Sequence, residues 1–469
     1  MTERSNAEPR TLGASPVDAR VPATVGPVGV SSRVAGQWHR AGDASAAMRD
    51  LLLLFDFDWD TIGLTPFRDR FRFFNAGFDL FSFPGNARLL WFDIERFVDR
   101  LVERYGGRID GVISANEQFG ALAAALIAER LGLPGTNPDA ILACQHKYHL
   151  RQLVEQVAPE ANIGYRLLPC ELGGVPYGTI EYPSFVKPIK AAYSVLARRI
   201  ENEADLVRHI RFGPLERFII ARLVKPFDDI ARRRLRIDVD ARHMLVEEAI
   251  EAEQFNLDGY VYRGQPVLIG AVDELMYPGT QAFLRFAYPS RLSAEVRARA
   301  FDIATRVLRA AGFDHGFFNM EFFHDPKTGE VKVIEINPRL ASQLADLYER
   351  VDGIDIYGMT LALACGEDPA RVPRKASRGG AAASCVLRSF GDAIRPTSPI
   401  GAARRQRVAE AFPDAIVMDF HKRGASLARE VKWLGSHRYG VVNLHGDDEP
   451  DLRRRFEAIC AMLGWPAPY

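Results

Sequence analysis

The chain has no excess of either charge. Its 469 residues carry 60 basic and 60 acidic side chains, so there is no bulk field to draw it to nucleic acid or to an anionic membrane. Cysteine is scarce and scattered. Cys144, Cys170, Cys365, Cys385 and Cys460 form no CxxC pair, which argues against a disulfide scaffold or a cysteine zinc site and predicts a reduced, cytoplasmic setting. Long apolar runs are missing as well: LLLLF at 51–55 and GALAAALIA at 120–128 are too short to cross a bilayer. The N-terminus lacks the basic-then-apolar pattern of a secretory signal, and no internal repeat is visible.

What is present suits several cores. A hydrophobic fraction of 47% against 26% charged, over this length, predicts two to four domains. Residues 1–47 are rich in Ala, Ser, Pro, Gly and Val without a period, and read as a disordered or loosely attached tail. DLLLLFDFD (50–58) and IDGVISAN (109–116) have strand composition. FDIERFVDRLVERYG (92–106) and EQFGALAAALIAERLG (117–132) have helical spacing. Strands alternating with helices predict an open α/β domain over 48–140. DAILACQHKYHLRQLVEQV (139–157) reads as one helix. YRLLP, SFVKPI, RFIIARLV and HMLVEEAI read as short strands, and YRGQPV as a hairpin turn.

Chemistry concentrates in HGFFNMEFFHD and EVKVIEINPRL, joined by PKTG. Alternate side chains of a strand share a face, so Glu335 and Asn337 lie together. With the turn centred near Lys327 or Thr328, Glu321 falls opposite Val333 or Glu335, and a shift of two keeps it on their face. Two carboxylates and an amide then converge. Neighbouring carboxylates resist joint ionisation unless a cation lies between them. Oxygen ligands of this kind suit Mg²⁺, and Arg339 just beyond suits the charge that develops in phosphoryl transfer. The alternative is a solvated sheet face.

MEF followed by VIEINPRL resembles the metal-binding strands of the ATP-grasp superfamily, which includes biotin carboxylases, D-alanine–D-alanine ligases and amino-acid ligases. The resemblance implies that Glu321, Glu335 and Asn337 hold Mg²⁺ on ATP, with Mn²⁺ as a substitute, and that Arg339 contacts the acylphosphate or substrate. CQHKYHLRQLVEQV resembles the helix whose lysine reaches the phosphates, implying Lys147. YPSFVKPIKAAYSV resembles the strand with the second phosphate lysine, implying Lys187. MLVEEAIEAEQFNLDGYVYRG resembles the hinge that binds the adenine edge, with Glu247, Glu248 and Ile250 at those positions and Glu253 or Gln254 for the ribose. The implied fold is mixed α/β and α+β. It has an N-terminal α/β domain (48–140), two α+β ATP-grasp lobes (141–255 and 256–375) and a C-terminal α+β subdomain (376–469).

Two departures bear on function. KPIKAAYSVLARRI has no glycine where many members have a glycine-rich phosphate loop; Lys190, Ala191, Ala192 and Ser194 stand there. Gln343 occupies the place of the biotin carboxylase glutamate, which counts against a carboxylase. The implied activity is an ADP-forming ligase that joins a small-molecule carboxylate to an amine through an acylphosphate. No nucleic-acid or membrane partner is expected, and a homodimer is allowed. Arg285 in FLRFAYPS, with Ser342 and Tyr193, is assigned to the substrate pocket. The competing readings are a carboxylase or ligase with another nucleophile, and an ATP-binding regulatory protein without turnover. RRRLR (232–236) reads as a solvated basic loop.

Overall fold

The computed structural model describes residues 48–80, 84–172, 174–176, 178–192, 195–391, 399–420, 422 and 424–468. The expected tail at 1–47 and Tyr193 lie outside them.

Strand β1 (Arg49–Leu54) sits between β2 (Phe71–Ala76) and β3 (Gly111–Ile113) in a parallel sheet. Leu52 and Leu54 enter one apolar core, Leu51 and Leu53 another. A strand covered on both faces reads as a continuous apolar run for this reason. A second sheet, antiparallel, contains β4 (Tyr165–Glu171), β5 (Ser184–Pro188), β6 (Arg198–Ile200) and β7 (His243–Glu248) in the order β4-β7-β5-β6.

The third sheet has eight antiparallel strands: β8 (Glu253–Tyr262), β9 (Gln265–Met276), β10 (Phe283–Tyr288), β11 (Gly316–His324), β12 (Val331–Asn337), β13 (Ala381–Ser389), β14 (Ile416–Asp419) and β15 (His437–Gly446). Their order is β12-β11-β8-β9-β10-β13-β15-β14. The expected division at 255/256 falls inside β8, and the C-terminal strands β13–β15 continue the sheet that carries the metal hairpin. One face of β8, β11 and β12 is apolar. Phe255, Leu257, Met320, Phe322 and Ile336 are at most 1% exposed and share a core with Ile303 and Val307 of helix Ala294–Ala310. Burying each such side chain stabilises the fold by ~1.5–3 kcal/mol. The opposite face is polar and forms the site.

Three local expectations are corrected. RFIIARLV is not a strand; it lies within helix Pro214–Arg234. Glu216 accepts from the Gly213 backbone N–H at 2.9 Å and fixes the first turn. Ile220, Val224, Phe227 and Ala231 then bury one helical face. The β-branched residues disguised that period. The stretch 139–157 is two helices, Pro138–Gln145 and Lys147–Val157, broken at His146. His146 has extended backbone angles, and its Nδ1 accepts from the His149 N–H at 3.2 Å, capping the second helix. RRRLR is not a free loop: Arg234 ends the long helix and pairs with Glu129 and Asp139, while Arg233 pairs with Glu95.

Candidate active site

The β11–β12 register places Asn319 opposite Asn337 and Glu321 opposite Glu335. Immediately beyond, Phe322 faces Val333, so Ile334 is an extra residue in the edge strand, a β-bulge. Arg151 takes up the carbonyls there: its Nη1 donates to Val333 O at 2.6 Å and its Nη2 to Ile334 O at 2.5 Å. Lys187 Nζ adds a bond to Ile334 O at 3.3 Å. The bulge is therefore satisfied by two cations from behind the site.

On the cavity side, Asn337 Nδ2 donates to Glu321 Oε1 at 3.2 Å and to Glu335 Oε1 at 3.3 Å. Lys147 Nζ pairs with Glu335 Oε2 at 3.1 Å, and the break at His146 gives the lysine this position. Burial, then the charge of Glu335, pushes the Glu321 carboxyl up to about 8. Burial also opposes ionisation of Glu335, but Lys147, Lys187 and the hydrogen bonds outweigh it and hold that carboxyl below its usual range. The two carboxyls thus differ in how readily they ionise, and one amide N–H group serves both. This donor set fits Mg²⁺: two carboxylates that repel each other and an amide whose orientation is set by its neighbours.

Arg339 Nη2 pairs with Glu117 Oε2 at 2.9 Å, and both line a cavity of about 2470 Å³ with Glu321 and Glu335. Glu117 comes from the loop after β3, so the N-terminal sheet closes one side of the site. Lys190 is also there. Its Nζ donates to Glu117 O at 3.1 Å and Gln145 Oε1 at 2.9 Å, and burial brings its pKa down to about 7.

Residues 180–346 match the ATP-grasp domain family. The chain carries an ATP-grasp domain. It is 29% identical over 321 residues to carnosine synthase 1 of Gallus gallus, covering 64% of this chain and 32% of that protein. It is 27% identical over 281 residues to the uncharacterized protein y4rH of Sinorhizobium fredii, covering 59% and 53%. The chain thus spans about half or less of the length of these two curated relatives. Among solved structures it is similar to an L-amino acid ligase from Bacillus licheniformis, with a TM-score of 0.64 and 16% identity over 89% of this chain and 98% of that one. A carboxyaminoimidazole ribonucleotide synthase from Aspergillus clavatus, complexed with ATP, gives a TM-score of 0.58 at 14% identity, covering 89% and 98%. At these identities the structural likeness concerns the fold.

Within the ATP-grasp domain the remaining expected residues divide. Ile250 lines the cavity. Gln254 faces the Glu321–Glu335 pair and donates to Glu321 Oε2 at 3.3 Å. Glu253, one residue earlier, points to the other face and pairs with Arg291 at 3.0 Å. Glu248 is exposed, and its backbone N–H donates to Gly164 O. Glu247 does not present its side chain to an adenine. Both carboxylate oxygens are taken, by Arg151 Nε at 2.7 Å and Lys187 Nζ at 2.8 Å. Arg285 is also displaced from the pocket: it pairs with Glu449 at the start of the last helix, behind the sheet. Its neighbour Phe286 is the one that lines the cavity. Ser342 lines the cavity as expected, and its Oγ donates to Asp60 of the N-terminal domain at 2.7 Å.

Several site residues escaped the sequence reading. Asn256 and Glu274 are 3% and 5% exposed and line the cavity with Glu321 and Glu335. Burial, then the charge of Glu321, pushes the Glu274 carboxyl well above its usual range. Further along the wall stands Arg388, whose pKa burial brings down to about 10. No motif marks these residues; sheet register alone gathers them.

The raised Glu321 carboxyl has a measurable consequence. A carboxyl raised in the folded state contributes stability that is full below its unfolded value of 4.5 and is lost as pH rises through about 8. A divalent cation binding here must displace that proton below about pH 8. The rise in melting temperature on adding Mg²⁺ or Mn²⁺ is therefore expected to be larger at about pH 9 than at about pH 6.5. Glu321→Gln should flatten this dependence, as read by thermal unfolding at each pH with and without metal.

Proposed function

We propose that this chain is an ATP-dependent ligase that joins a carboxylate to an amine and releases ADP and phosphate. The observation that carries the reading is the convergence of Glu321, Glu335 and Arg339 on one cavity, with Asn337 bonded to both carboxylates and Lys147 paired with Glu335. The substrate carboxylate attacks the γ-phosphorus of ATP, the bond to the β-phosphate oxygen breaks, and ADP leaves. The amine nitrogen then attacks the acyl carbon, the bond from that carbon to the phosphate oxygen breaks, phosphate leaves with that electron pair, and the nitrogen gives up a proton to it. Bound by Glu321, Glu335 and Asn337, Mg²⁺ would neutralise charge on the β- and γ-oxygens. Lys147, paired with Glu335, is the candidate to hold phosphates; Lys187 is taken up by Glu247 and Ile334 O, and Lys190 stands where the glycine-rich loop is absent. Arg339, held by Glu117, faces the developing negative charge.

Gln343 supports amide formation over carboxylation, because its Nε2 donates to Ser384 Oγ at 2.8 Å and it offers no carboxylate. A carnosine synthase and an L-amino acid ligase among the similar chains make amino acids the first substrates to screen. The test is phosphate release from ATP with mixed pools of carboxylates and amines. ADP is the expected product; AMP with pyrophosphate contradicts the acylphosphate route. Bicarbonate with biotin is expected to give no stimulation. Arg339→Ala should lower turnover by about a hundredfold or more with a smaller effect on the KM for ATP. Loss of ATP affinity at unchanged turnover would make Arg339 a nucleotide ligand instead.

A further inference from the structure

Asn256 and Glu274 form a buried pair of hydrogen-bond acceptors with nothing to accept. Asn256 Nδ2 donates to Glu274 Oε1. This leaves Asn256 Oδ1 and Glu274 Oε2 without a hydrogen-bond partner among the described residues. Gln254, directly opposite Glu274 on β8, gives one Nε2 hydrogen to Glu321, and its amide also acts on the Glu274 carboxyl, yet Oε2 keeps no hydrogen bond. A buried carboxyl oxygen and a buried amide oxygen left open together are costly unless a ligand pairs with them, and an arriving amine favours the ionised carboxyl, which accepts. Their place narrows the donor. Glu274 lies on β9, two strands from Glu321 on β11, with β8 between them. That is about 10 Å of backbone separation. Among the described residues no three His, Cys, Asp or Glu side chains could hold one ion, so Glu274 does not complete the metal set. On its other side Phe286 stands opposite it on β10, and both line the cavity. An apolar ring beside two open acceptors suits an organic amine better than a hydrated cation.

We infer that Glu274 Oε2 and Asn256 Oδ1 receive the N–H groups of the acceptor, a primary amine, and hold its nitrogen beside the acylphosphate. This inference rests on the ligase reading above and names the residues that select its second substrate. Two acceptors take two N–H hydrogens and leave the nitrogen lone pair free to face the acyl carbon. A hydroxyl acceptor, with one hydrogen, leaves one of the two oxygens unpaired, so the pair also discriminates against alcohols.

Glu274→Gln, which keeps the shape, separates the steps. The wild-type protein and the variant are given ATP, Mg²⁺ and the twenty common L-amino acids as carboxylates. Hydroxylamine at saturating concentration replaces the amine and traps the acylphosphate as a hydroxamate. The same acids are then assayed with an L-amino acid as the amine. The variant is expected to form hydroxamate within about twofold of wild type, while its KM for the amine rises about tenfold to a hundredfold. Equal loss of hydroxamate would place Glu274 in the ATP or metal step and overturn the inference. An unchanged KM for the amine would overturn it as well. Wild-type protein that yields neither hydroxamate nor ADP would instead refute the ligase reading, and this inference with it.

Discussion

Glu335→Gln should slow ADP formation by about three orders of magnitude and leave the unfolding temperature nearly unchanged. The two halves of this result have separate causes. A metal clamp on transferring phosphate supplies several kcal/mol, and a loss of about 4 kcal/mol is about a thousandfold in rate. Glu335 is the carboxylate that stays ionised, held so by Lys147 and Lys187, and it pairs directly with Lys147 at 3.1 Å. Removing its charge weakens the proposed cation site and frees Lys147 from its pair together. Stability is spared because Glu321, relieved of its neighbour, can ionise and face Lys147 in its place. Steady-state ADP release and circular dichroism melting read the two halves. Turnover within about tenfold of wild type would remove Glu335 from the metal site.

Glu247→Ala should be the most damaging single change to stability, at about 3–5 kcal/mol. Its carboxylate lies between Arg151 and Lys187, 1% and 4% exposed, and both of its oxygens are paired. Truncation leaves two buried cations facing each other across a void. The same two cations hold the carbonyls of the bulge at Ile334, so local damage reaches the metal strand. Urea unfolding should show the loss as a lower midpoint. A change below about 1 kcal/mol would mean the network is replaceable by water.

The meeting of Glu321, Glu335 and Asn337 on one face of the hairpin was legible because two periods agreed. Strand alternation put Glu335 and Asn337 on one face, and the short turn put Glu321 across from them. What was not legible came from one-residue parity and from long-range register. Glu253 and Gln254 are equally polar in sequence, yet the pleat sends one to Arg291 and the other to Glu321. Arg285 and Phe286 divide in the same way, where the pairing of β10 with β9 shifts between Phe283 and Arg285. Glu247 looked like a ligand residue, and only the three-dimensional approach of Arg151 reveals it as the centre of an ion network. Glu117, Asn256 and Glu274 belong to no local pattern. They meet the hairpin because β8 and β9 pair beside it and the N-terminal sheet docks against it. RFIIARLV misled because β-branched residues favour strands, while a capped first turn and a helical apolar stripe decided otherwise.

The central claim is that a carboxylate oxygen is phosphorylated by ATP in this cavity. Once a phosphate-release screen has supplied an acid, that acid is labelled with oxygen-18 in its carboxylate and turned over with ATP and an amine. The account predicts that one labelled oxygen passes from the acid into the released inorganic phosphate, seen as a mass shift, with ADP unlabelled. Label recovered in AMP, or absent from phosphate while product forms, would contradict it.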